Sequence, residues 1–137
     1  GPSQAFYRHK LHQQLGQETA ADHMQEFWEP NFLAFDANDL LGMMHTWQVA
    51  NIADNDLYEG DFEAACKAIT AKTILMPCKT DLYFPLADNE TQASLMSNVE
   101  LRPIPSDWGH IAGAPGLNPV DSVFIDNAHR ELLASLT

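Results

Sequence analysis

Cysteine, positive charge and long apolar runs are all scarce in this chain. Its 137 residues hold two cysteines, Cys66 and Cys78. They lie outside any Cys-x-x-Cys pattern, which excludes a disulfide framework and reads as two buried thiols in a reducing compartment. Seven Lys and Arg stand against nineteen Asp and Glu, a formal net charge of -12. Such a field repels phosphate backbones and anionic lipid, so nucleic-acid binding and polybasic membrane docking are excluded as roles. No apolar run approaches the roughly 20 residues of a membrane span. Residues 1 to 20 carry charges and glutamines where a signal peptide needs an apolar stretch. The expected setting is cytoplasmic. The chain opens on Gly1-Pro2-Ser3 rather than Met, which points to a segment cut from something longer.

What is present is globular: 45% hydrophobic and 19% charged residues, enough for one domain with a core of its own. The first third reads as helix. Ser3 caps a segment that Gly16 closes, with Phe6, Tyr7, Leu11 and Leu15 at helical spacing. A second helix begins near Thr19 and carries Met24, Phe27 and Trp28 until Pro30 interrupts it. A third spans about 37 to 53, its apolar residues spread so widely around the circumference that contact on more than one side is expected. The acidic, turn-forming run 54 to 61 divides this part from the rest.

After it the pattern changes. Phe62 to Ile69 is a short amphipathic helix, Lys72 to Cys78 a strand, Leu86 to Met96 a helix, Val99 to Ile104 a second strand, and Asp121 to Leu136 a closing helix. Helices alternating with nearly continuous apolar strands are the mark of a parallel sheet. Two prolines in the second strand place it at an edge. Two strands are too few for a sheet covered on both faces, so the other edge, beside residues 73 to 78, is expected to be open to strands that this chain does not contain.

Asp81 follows the first strand and His110 the second, 29 residues apart in sequence. Open α/β sheets place working residues at the carboxyl ends of parallel strands, and neighbouring strands would bring these two loops together. A carboxylate beside an imidazole can fix the ring's tautomer and stabilise its protonated form, the work of the orienter and the base in a nucleophilic triad. Spacing alone leaves a turn-capping Asp and a solvent-touching His equally open. Asp107 is the rival partner for His110. His9, His12 and His23 lack a supporting Cys or carboxylate cluster, so no metal is expected, nor any other cofactor. The run holding Asp54, Asp56, Glu59 and Asp61 lacks the spacing of a calcium loop and reads as solvated.

Three phrases carry a resemblance. Asp36-Ala-Asn-Asp-Leu-Leu with Trp47, then Thr80-Asp81-Leu-Tyr-Phe-Pro, then Trp108-Gly-His110 together resemble the C-terminal part of homoserine O-acetyltransferase-like proteins of the α/β-hydrolase superfamily. The resemblance runs along the whole chain. It implies an α/β fold made of the C-terminal part of an α/β-hydrolase, two parallel strands with flanking helices (residues 61 to 137), preceded by a helical cap (residues 1 to 60). In that family "SDLLFPP" carries the triad Asp and "YGHDAF" the triad His, positions held here by Asp81 and His110. Here Ile111-Ala112-Gly113 follows the His where the family usually has Asp, a departure from the homoserine-specific pattern.

No Gly-x-Ser-x-Gly occurs in the chain, and that is where the superfamily keeps its nucleophile. The resemblance thus implies an acyltransferase or esterase that receives acid and base from this chain and its Ser from an upstream partner segment. The substrate would be a small acyl ester or an acyl-CoA. Met44, Trp47 and Trp108 are candidate pocket residues. The alternative is a non-catalytic fragment that self-associates or serves as an interaction module, with the open edge and the helical faces buried between copies.

Overall fold

The computed structural model describes residues 1 to 135, which form two compact units. One is built from Gly1–Leu11 and Cys66–Thr137, the other from His12–Ala65. The division differs from the expected boundary at residue 60, because the first eleven residues belong with the second half of the sequence. Helix α1 (Gln4–Arg8) is capped by Ser3, whose hydroxyl oxygen accepts from the Phe6 amide at 3.0 Å and whose proton goes to the Asp107 carbonyl. Phe6 is fully buried and stands edge-on to Trp108, ring centroids 5.2 Å apart. These contacts end the helix early. The expected run to Gly16 stops at Arg8, Lys10 takes a left-handed φ of 56°, and a 3-10 turn comes next at Leu11–Leu15. A short helix draws its stability from packing, and here the packing stops with the first two turns.

In the same unit β1 (Thr73–Leu75) pairs in parallel with β2 (Val99–Leu101), Thr73 opposite Val99 and Leu75 opposite Leu101. The pairing continues in the same register to a bridge between Cys78 and Ile104. That register sets Pro77 opposite Pro103, two residues without an N–H, and there the regular ladder lapses. Single bonds from Arg102 N to Leu75 O (2.9 Å) and from Ile104 N to Pro77 O (2.8 Å) carry it across. The strands are therefore shorter than the sequence pattern suggests while their direction and neighbourhood agree with it. Among the described residues the sheet has these two strands alone. Helix α6 (Leu86–Leu95) packs on β2 and α7 (Pro119–Ala134) on β1. Asn118 caps α7, accepting from Val120 N at 3.0 Å, and Pro119 occupies the first turn, where its missing donor costs nothing. The expected place of Leu136 on this helix lies outside the described residues. The buried apolar residues here are Phe6, Cys66, Cys78, Ile104, Trp108, Ile111, Ala112 and Ala128.

The other unit is helical. Thr19 and Asp22 form a reciprocal capping box at the start of α2 (Ala20–His23), with bonds of 2.9 and 3.1 Å. Pro30 does not interrupt the helical path beyond it. The chain widens into a π turn at Met24–Trp28, in which the Glu29 amide reaches back to Met24 O, and then resumes as α3 (Glu29–Leu33) with Pro30 in its first turn. The wider turn accommodates a ring that has no amide to give and would crowd a regular α-turn. His23 is fully buried and stacks on Phe27. Helix α4 (Ala37–Val49) is capped by Asp36. Its expected contact on several sides is not made among the described residues: Leu41, Met43, Met44, Trp47 and Val49 are all more than half exposed. Asp61 then caps α5 (Phe62–Lys67), which carries the chain from one unit into the other.

Candidate active site

Two loops leave the paired strands at the same end, and each contributes one ionisable side chain. After β1 the chain turns at Asp81, whose Oδ1 accepts from the amides of Tyr83 (2.8 Å) and Phe84 (3.2 Å). An Asp that takes the amides two and three residues on closes its own turn, which is why Thr-Asp-Leu-Tyr-Phe folds locally as it does. The other oxygen, Oδ2, lies 3.0 Å from Nδ1 of His110, from the loop after β2. Burial, which leaves the Asp81 side chain 7% exposed, pushes its carboxyl up; the bonds from His110, Tyr83 and Phe84 outweigh that, and the group sits below the usual carboxylate range.

An ionised carboxylate can only accept, so Nδ1 of His110 carries the proton in the neutral ring and Nε2 keeps its lone pair. The His110 side chain is 35% exposed. Tyr83 and Phe84 stand beside it, centroids at 4.8 and 5.4 Å, so the loop that holds the carboxylate also flanks the imidazole. Gly109 makes this possible: it has φ 66°, and its Cα hydrogens face the backbone of residues 1 to 3. Asp81 and His110 border a cavity of about 520 Å³ with apolar walls that include Ile74, Met76, Phe84, Ile125 and Leu132.

The remaining candidates fall elsewhere. Asp107 pairs with Nδ1 of His9 at 2.9 Å and takes no part at His110. Trp108 is 3% exposed, packed on Phe6, and absent from the cavity wall. Met44 and Trp47 belong to α4 in the other unit, where both are exposed. No group of three His, Cys, Asp or Glu among the described residues is arranged to hold a metal. Nor is any described helix long and apolar enough to cross a membrane. Residues that the motifs did not single out also shape the site, namely Thr80, Ser106 and Asp121. Their signal in the sequence was faint: a Thr directly before the Asp and a Ser four before the His.

No family model matches the chain. Its relatives are ester hydrolases. It is 33% identical over 138 residues to the ethyl acetate hydrolase of Pseudomonas veronii, covering 98% of this chain and 38% of that protein. To a protein of Corynebacterium glutamicum named "Probable esterase Cgl0839" it is 30% identical over 132 residues, covering 96% of this chain and 36% of the relative. Its structure superposes on that of the acetyl esterase MekB with a TM-score of 0.89 at 31% identity, over 98% of this chain and 38% of the esterase. The chain thus spans little more than a third of the length of the proteins it matches, and within that span it shares their arrangement of helices around a small parallel sheet.

Proposed function

We propose that this chain supplies the acid–base half of a serine ester hydrolase of the α/β-hydrolase superfamily, acting on small acetyl esters. Asp81 orients the ring and stabilises its protonated form. His110, through Nε2, takes the proton of a serine hydroxyl provided by sequence outside this chain, and returns it to the leaving alcohol. An acyl-enzyme forms and water then releases the acid. The observation that carries the reading is the 3.0 Å pair between Asp81 and His110 at the ends of adjacent parallel strands. The esterase names of the relatives favour water over an alcohol acceptor such as homoserine, as does the departure after His110, where Ile111 replaces the family's Asp. Residues 12 to 65 are the cap in this reading, and the unpaired side of β1 receives the strands that precede it in the complete sheet.

The test is complementation. This chain, co-expressed with a segment bearing the nucleophile elbow, is assayed on ethyl acetate and 4-nitrophenyl acetate. Hydrolysis is expected from the pair and not from either part. Asp81→Asn and His110→Ala are expected to lower kcat by roughly 10³ to 10⁴. Full activity of the His110→Ala complex would overturn the assignment.

A second reading is supported by the exposed apolar residues of α4, Leu41, Met43, Met44, Trp47 and Val49: the chain self-associates through them as a non-catalytic interaction fragment. Light scattering after size exclusion separates the two. Self-association that Trp47→Ser abolishes, together with no gain of activity on complementation, favours this second reading.

A further inference from the structure

The loops that carry Asp81 and His110 are joined by one hydroxyl. Thr80, immediately before the carboxylate, donates its Oγ1 proton to the carbonyl of Ser106 at 2.9 Å and accepts from the amide of Gly109 at 3.2 Å. Gly109 is the residue immediately before the imidazole. A hydroxyl has one proton and two lone pairs, so it makes both bonds at once. A Thr serving only its own turn would bond within residues 78 to 84; this one bonds to residues 26 and 29 positions away.

Behind it the His110 loop is held a second time. Ser106 donates its hydroxyl to Oδ2 of Asp121, in the first turn of α7, at 2.7 Å, and the Trp108 amide returns a bond of 3.2 Å to the Ser106 oxygen. Asn118 adds a bond of 2.7 Å to the same carboxylate oxygen. Ser106 and Asp121 are both buried. The loop is thus fixed to α7 by Asp121 and to the turn of Asp81 by Thr80, and of these two ties Thr80 alone reaches the element that holds the acid.

We propose that Thr80 is a positioning residue, whose hydroxyl sets the distance and ring orientation between Asp81 and His110. This rests on the acid–base reading of that pair. The precision it supplies matters because displacements of about 1 Å in a reacting constellation cost on the order of 100-fold in rate. Without the hydroxyl the Gly109 amide loses its acceptor, the two loops are tied only through the sheet behind them, and the ring samples positions away from Oδ2.

The test uses Thr80→Val, which keeps the shape and removes the hydroxyl, and Thr80→Ser, which restores the hydroxyl. Thr80→Ala serves as a second deletion with no added bulk. In the chain itself, labelled with ¹⁵N-histidine, His110 is expected to show the pattern of an Nδ1–H ring, averaged toward a tautomer mixture in Thr80→Val and Thr80→Ala and recovered in Thr80→Ser. In the complemented hydrolase, Thr80→Val is expected to lower kcat by roughly 10- to 100-fold with KM within about twofold, and Thr80→Ser to regain most of it. An unchanged His110 spectrum in the folded valine or alanine variant overturns the proposal, as does a loss of kcat that serine does not recover. Failure of the acid–base reading looks different: His110→Ala then leaves hydrolysis intact, while the spectra still decide whether Thr80 orients the ring.

Discussion

Replacing Gly109 by Ala tests how the N-terminal residues are seated beside His110. The new Cβ would meet the Ser3 amide nitrogen at 2.6 Å and the Gly1 oxygen and the Pro2 carbonyl carbon at 3.0 Å. All three are backbone atoms, so no side chain can swing aside. Two costs add. A φ of 66° is a left-handed conformation that charges an L-residue about 1–2 kcal/mol. The forced contact adds about 1–3 kcal/mol, the usual range for overpacking. It also pushes on the bond from His110 N to Gly1 O, 3.1 Å. Gly116 provides the control within the same unit, because it has φ 80° and nothing within 4 Å of an added Cβ. Gly116→Ala should show the conformational cost alone. Urea denaturation followed by circular dichroism is expected to place Gly109→Ala below Gly116→Ala in stability by about 1–3 kcal/mol. Equal losses in the two variants would refute the argument, since they would mean that residues 1 to 3 do not occupy that space.

Other single side chains have outcomes of their own. Ser106→Ala removes a donor from the buried Asp121 carboxylate and is expected to cost about 1–3 kcal/mol in the same titration. Thr19→Ala breaks the capping box of α2 and should lower the stability of the helical unit by about 1 kcal/mol, read from its thermal melt. His23 is held below the ordinary histidine range by its burial and by the nearby His12. The unfolded chain therefore takes up this proton before the folded one does. Its contribution to stability is complete above the unfolded value, about 6.5, and is lost as the pH falls through the folded value. His23→Phe should flatten that slope between pH 7 and 5, and an unaltered slope would assign it to another group. At lower pH, Asp81 contributes stability that is present above its unfolded value and disappears as the pH falls through its depressed folded one.

How far the sequence led depended on whether a feature was local. The strands were legible because Lys72 to Cys78 and Val99 to Ile104 are apolar on both faces, and their parallel pairing came from the helix between them. The meeting of Asp81 with His110 came from the same geometry. Three things escaped. The seat of α1 against Trp108 is a contact between the two ends of the chain, which no periodicity announces. The π turn at Met24–Trp28 runs against the usual expectation for Pro30, because a helix can absorb a proline by widening upstream of it. Thr80 and Ser106 are common residue types with nothing unusual in spacing, and their importance lies wholly in where the sheet brings them. The breadth of apolar residues on α4 was visible in sequence, but the covering it implied is not made among the described residues.

The π turn has a bearing on how this chain tolerates change in length. Such a turn holds one residue more than an α-turn does, so Met24–Trp28 is a point where the helix could lose a residue and remain continuous. The deletion would tighten the turn and rotate everything after it by about 100° about the axis. Phe32, now 53% exposed, would then point elsewhere, and Pro30 would meet the crowding that the wider turn relieves. A shortened variant should therefore keep its helix and change its surface, whereas a deletion inside α4 should shift that helix's register without any such slack to draw on.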